Sequence, residues 1–184
     1  ISAFKPAERD EAAMRFEPDA KIGGLTEDEL VRFLDYPWNA RIATVTRDGW
    51  PYFTPVWYEL ESGPRHFLVV GREHALWVDH IRHNPRVAFH VADDVAAQHT
   101  RVLVQATAEP VEGPVAPRES ARLLELNNRL ALKYMAPDGP SYAERTLNRP
   151  RAPVMLTPAR WTSWTGWAPR GRRSSKGWKT SDVS

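Results

Sequence analysis

The sequence predicts a mainly β (α+β) domain: a six-stranded antiparallel barrel with a few flanking helices. Three observations point there. Six short runs are rich in β-branched and apolar residues. The first three are joined by turns too short for parallel crossovers, which need a dozen or more residues. The helical stretches lie before, between and after these runs instead of alternating with them, so a barrel is the economical way to bury one apolar face of every strand.

The elements follow in chain order. Residues 1–24 mix charges with Pro6, Pro18 and Gly23-Gly24 without an apolar period, and read as an N-terminal arm. Thr26 with Glu29 forms a capping box, and Leu25, Leu30, Val31 and Leu34 give the following helix one apolar face until Pro37 ends it. Ala40 to Thr46 and Tyr52 to Leu60 are two extended runs around the turn residues Arg47-Asp48-Gly49, which makes a hairpin. Ser62-Gly63-Pro64 turns the chain into a third strand at Phe67 to Val70. Between Glu73 and His83, Leu76, Trp77, Val78 and Ile81 recur at helical spacing up to Asn84-Pro85. Val87 to Val91 and the alternating Val102 to Val111 are the fourth and fifth strands, with a polar loop from Asp93 to Thr100 between them. Pro117 to Tyr134 is an amphipathic helix carrying leucines at 123, 124, 126, 130 and 132. Asp138-Gly139-Pro140 breaks it, a short helical piece follows at Tyr142 to Leu147, and Ala152 to Leu156 is the sixth strand. This divides the chain into an arm at 1–24, a barrel domain at 25–158 and a Trp-rich C-terminal arm at 159–184.

Composition narrows the function. Apolar residues at 42% and charged residues at 26% are ordinary for a globular domain, and 184 residues suffice for one core. There is no cysteine, so disulfides, thiolate metal sites and cysteine nucleophiles are excluded, and a cytoplasmic home fits best. No run approaches the roughly 18 apolar residues of a membrane span. The net charge of +2 divides unevenly, with +5 over residues 159–184 and −3 over the rest. A basic segment interleaved with Trp161, Trp164, Trp167 and Trp178 has the composition of a nucleic-acid contact. The simpler expectation is that its indoles pack on the barrel or on a second subunit. His80 and His83 share a helix face, yet no third ligand completes a metal set. No glycine-rich phosphate loop, nucleophile elbow or His-Glu-x-x-His motif occurs, so hydrolase chemistry has no visible support.

A series of fragments then carries a resemblance. Arg41-Ile42-Ala43-Thr44-Val45, Asp48-Gly49 with Pro51, Pro55-Val56-Trp57, Asn84-Pro85-Arg86-Val87 and Arg101-Val102-Leu103-Val104-Gln105-Ala106-Thr107-Ala108 occur in the order and spacing found in the pyridoxamine phosphate oxidase-like split β-barrels, including their deazaflavin-dependent branch. From Leu25 to about Glu112 the chain resembles that family. The resemblance implies a homodimer that holds FMN or a deazaflavin of the 8-hydroxy-5-deazaflavin type at the subunit interface. It implies hydride transfer between that cofactor and a small planar organic substrate, with a nicotinamide nucleotide as a candidate partner.

In family terms Arg41, Ile42, Ala43 and Thr44 line the cofactor from the first strand. Val56 and Trp57 face it from the second, Val70 and Gly71 border it from the third, and Arg101 approaches from a later strand. One departure stands out. Where the family has a Ser-Arg-Lys run for the cofactor phosphate, this chain has Ala75-Leu76-Trp77. Arg72 and His74 are the nearest replacements for the lost charge, and Trp77 becomes either a ligand-stacking indole or plain helix packing. The alternative to an oxidoreductase on the same barrel is a non-catalytic protein that binds a flavin, a haem or another planar ligand.

Overall fold

The computed structural model describes residues 16–19, 22–61, 66–95, 99–166 and 179–182. The Ser62-Gly63-Pro64 turn, Trp167, Trp178 and most of the N-terminal arm lie outside them. In chain order the elements are α1 (Glu27–Asp35), β1 (Ala40–Val45), β2 (Pro51–Val56), β3 (Tyr58–Glu61), β4 (His66–Arg72), α2 (Leu76–His83), β5 (Arg86–Ala92), β6 (Arg101–Pro110), a 3₁₀ turn (Pro117–Glu119), α3 (Ala121–Met135), α4 (Gly139–Thr146), β7 (Arg151–Trp164) and β8 (Lys179–Asp182).

All strands join one antiparallel sheet in the order β2-β1-β5-β6-β7-β4-β3, with β8 paired to β7 off this path. The expectation of six strands is corrected at two places. The run from Tyr52 to Leu60 is broken at Trp57, so β2 pairs with β1 while β3 pairs with β4 at the opposite edge of the sheet. A chain that steps from one edge to the other in one residue requires those edges to curl together, which closes the sheet into a split barrel. Pro51 and Pro55 sit on β2, an edge strand, where a missing N–H costs no ladder bond on the open side. The second correction is the added strand β8.

β7 is also longer than the apolar run from Ala152 to Leu156 suggests, continuing to Trp164. The boundary drawn at residue 158 therefore falls inside a strand. A register shift opposite Gln105 and Ala106 lets Ala159 bulge beside Pro158, so the ladder passes the proline and continues.

The core is aromatic. Tyr58, Phe67, Phe89 and Trp161 meet with centroid separations of 4.8–5.8 Å. Three residues read onto apolar helix faces point outward instead: Val31 on α1, Leu76 at the start of α2 and Leu132 on α3 are exposed. The capping box forms as read. Thr26 Oγ1 accepts from the Glu29 N–H, and the Glu29 carboxylate accepts from the backbone N–H groups of Thr26 and Asp19, both at 2.7 Å. Burial pushes the Glu29 pKa up, but these hydrogen bonds outweigh it and hold it below its ordinary value. Phe16, from the end of the arm, is buried edge-on against Phe33 and Tyr36. No helix among the described residues is long and apolar enough to cross a membrane.

Candidate functional site

A cleft of about 610 Å³ opens where β2, β4 and α2 meet α3, α4 and the start of β7. This volume lies within the range typical of small-molecule sites. Its apolar wall is Val56, Val70, Trp57 and Trp77. The break at Trp57 that closes the barrel also places the indole at the rim. There it stacks parallel on Tyr134 at 4.9 Å and leans on Tyr142 at 5.5 Å. Tyr134 is fixed from below, because its hydroxyl donates to the Trp38 carbonyl at 3.1 Å and accepts from the Tyr58 N–H at 3.2 Å. Burial holds both phenols above their ordinary pKa. Lys133 lies 4.3 Å from the centre of the Tyr58 ring and donates to the Leu34 carbonyl, and burial lowers its pKa against the opposing pull of Glu59 and Asp35.

Trp77 is 5% exposed and belongs to the hydrophobic core as well as to the cleft wall. The reason is Gly71. A Cβ there would come within 2.5 Å of Val78 Cγ2 and 3.1 Å of Trp77 Cζ2, so only glycine lets α2 press its first turn onto β4.

The polar side of the cleft includes Arg72, His74 and Arg151, with Tyr52, Asn39 and Asn127. Arg72 and Arg151 are direct cross-strand partners on β4 and β7. Burial lowers the Arg151 pKa, Tyr142 raises it, and the positive charges of Arg72 and Arg149 lower it further.

Of the residues read from the sequence, the structure brings Val56, Trp57, Val70, Arg72, His74 and Trp77 to this cleft, with Gly71 directly behind it. It does not bring the first strand there as a unit. Ile42 and Thr44 point into the barrel, where Thr44 Oγ1 lies 3.0 Å from His80 Nδ1. That contact and an edge-on Tyr52 ring at 5.1 Å occupy His80 with packing. Arg41 and Ala43 point to the opposite face of the sheet, into a shallow groove of about 700 Å³ that also includes Phe53, His90, Leu103 and Thr162. Strand alternation is the cause, since successive residues of β1 must face opposite sides. Arg41 forms an ion pair with Asp94. Arg101 opens β6 and donates to the His99 carbonyl at 2.9 Å, with burial lowering its pKa. His90, paired across the ladder with Arg41, has its pKa lowered by burial and by Arg41.

The sequence reading missed Arg151, Tyr52 and Tyr142. Arg151 carried the same signal as Arg41, a cation at the mouth of an apolar strand. Its partner, 79 residues away on β4, becomes visible only once β7 pairs with β4.

The family model described as pyridoxamine 5'-phosphate oxidase matches residues 26–165. The chain belongs to the pyridoxamine 5'-phosphate oxidase family. Solved structures agree on the fold. The conserved hypothetical protein Rv2991 of Mycobacterium tuberculosis is 20% identical with a TM-score of 0.58, covering 86% of this chain and 99% of its own. HutZ, the haem storage protein of Vibrio cholerae, is 18% identical with a TM-score of 0.56, covering 72% of this chain and 89% of its own. An F420 reductase is 21% identical with a TM-score of 0.51, covering 71% of this chain and 93% of its own. No curated protein matches by sequence. Within the family fold, the α2 segment Ala75-Leu76-Trp77 lends the cleft an indole and no cation.

Proposed function

We propose that this protein is a flavin- or deazaflavin-dependent oxidoreductase acting on a small planar organic substrate, with FMN or an 8-hydroxy-5-deazaflavin as its cofactor. The observation that carries the reading is the composition of the cleft in a member of this family: Val56, Val70, Trp57 and Trp77 on one side, and cations at the mouth. The residues present fit such a group. A tricyclic ring needs a flat apolar slot, and its charged tail needs guanidinium or N–H donors at one end. When bound, the cofactor supplies the hydride chemistry. The chain contributes placement. Trp57 and Trp77 exclude water from the ring's position, the Tyr134 stack keeps Trp57 from collapsing into the cleft, and Tyr52 and Tyr142 offer hydroxyls for orienting substrate. A nicotinamide nucleotide is the proposed source of reducing equivalents.

A homodimer is part of the proposal. Phe53 and Leu103 are exposed on the face that bears Arg41 and Ala43, an apolar patch suited to self-association. The runner-up is a non-catalytic protein holding a planar ligand such as haem. It is favoured by the lack of a cation in the first turn of α2, where Leu76 and Trp77 border the cleft, and by the likeness in fold to a haem storage protein.

The absorption spectrum of the purified protein tests the choice. Flavin or deazaflavin bands that bleach on anaerobic addition of a nicotinamide nucleotide support the oxidoreductase. A haem spectrum, or a flavin that no nicotinamide nucleotide or organic reductant bleaches, supports the runner-up.

A further inference from the structure

Two arginines stand opposite each other on the cleft wall, and neither forms an ion pair among the described residues. Arg72 ends β4 and Arg151 begins β7, and the antiparallel register places them directly opposite, so their side chains leave the same face of the sheet and both line the cleft. Among the described residues no carboxylate forms an ion pair with either. The neighbouring Glu73 pairs with His74 at 3.7 Å, and Glu112 accepts from Ser120. Like charges directly opposite on a ladder oppose folding, and Arg151 is half-buried besides.

The backbone that carries the pair is nevertheless firmly paired on both sides. The backbone of Arg151 is held on its other side by Val115, with which it exchanges both backbone hydrogen bonds at 2.9 and 3.0 Å, so the strand end from which its guanidinium extends is fixed. Arg149 adds further positive potential at Arg151, and Tyr142 stands close enough to both cleft and Arg151 to bond the same ligand. A cross-strand arginine pair fixed in a cleft and lacking an internal anion fits an anion from outside.

We infer that Arg72 and Arg151 form a clamp for a phosphate group on the ligand, supplying at the β4–β7 end of the cleft the positive charge that Ala75, Leu76 and Trp77 at the start of α2 do not. Phosphate fits better than carboxylate. One guanidinium fork satisfies the two oxygens of a carboxylate, whereas a phosphate monoester offers three oxygens and nearly two negative charges to two forks. The clamp rests on the reading of the cleft as a flavin or deazaflavin site, and it fixes the orientation of that ligand: tail toward β4 and β7, ring toward Trp57 and Trp77.

Calorimetric titration with FMN and with riboflavin, which lacks the phosphate, separates the two ideas. Wild type should bind FMN much more tightly than riboflavin. Arg72→Gln and Arg151→Gln should each weaken FMN about 10- to 100-fold while leaving riboflavin within about twofold. Wild-type affinity for FMN in both variants overturns the clamp. Equal weakening of FMN and riboflavin also overturns it, because the arginines would then act through the fold.

If wild type binds neither flavin, the flavin reading fails and the clamp is judged by pyrophosphate alone. A rise in melting temperature that is present in wild type and lost in Arg151→Gln at matched ionic strength sustains the clamp. The absence of any such rise in wild type overturns it.

Discussion

Trp77 carries the sharpest energetic consequence of the fold. By the resemblance read from the sequence it stands where the family has a cation, so Trp77→Lys should improve the site if the indole were only a surface substitution. The structure argues otherwise. The indole keeps 5% of its surface exposed. Burying about 150–250 Å² of aromatic side chain at about 25 cal/mol per Å² is worth about 4–6 kcal/mol. A lysine stem recovers roughly half of that while its ammonium reaches for solvent, leaving an expected loss of about 2–3 kcal/mol.

Urea unfolding followed by circular dichroism reads this directly. With a slope of about 2–3 kcal/mol per molar, the midpoint should fall by about 0.7–1.5 M at unchanged slope. Gly71→Ala should fall in the same direction by about 1–3 kcal/mol, because its methyl group meets Val78 and Trp77. A midpoint shift below roughly 0.3 M for Trp77→Lys would refute the packing argument. The position would then tolerate a cation without loss of packing.

Three further outcomes follow from single contacts. Tyr134→Phe leaves the buried Tyr58 N–H without its acceptor and should cost about 1–3 kcal/mol in the same assay, with a weakened Trp57 stack visible in tryptophan fluorescence. His90 has a folded-state pKa below its ordinary 6.5, so the unfolded chain binds its proton more readily. Its contribution is complete above about pH 6.5 and is lost as pH falls toward the depressed value, with a slope no steeper than about 1.4 kcal/mol per pH unit. Thermal melts across that window should show a flatter dependence for His90→Gln, and an unchanged slope would remove His90 as the cause. Light scattering should return about twice the 21.0 kDa chain mass, and Phe53→Glu with Leu103→Glu should return the monomer. A wild-type monomer at micromolar concentration would contradict the dimer.

Much of the fold was legible because local chemistry agreed with global structure. The capping box at Thr26 and Glu29, the Gly49 turn at φ +87° and the alternation of β6 are each readable within a few residues, and each stands as read. What escaped depended on pairing. Nothing local to Trp57 says that the run from Tyr52 to Leu60 must break, since the break is forced by two edges meeting far away in sequence. β7 runs past Pro158 because a bulge absorbs the proline, and a bulge is a property of two strands.

The site divides in the same way. Trp57, Val70 and Trp77, read from position, line the cleft, whereas Arg41, placed near the cofactor phosphate by the resemblance, does not. Alternation then sends it to the other face, where Asp94 takes it. Arg151 escaped because it meets Arg72 only through the β4–β7 register.

The account stands most directly on whether the cleft holds a flavin. Structure determination of the protein saturated with FMN or the deazaflavin should show the ring between Trp57, Val70 and Trp77, with its phosphate at Arg72 and Arg151. A ring bound instead on the Arg41 and His90 face, or neither cofactor bound at saturating concentration, would contradict it.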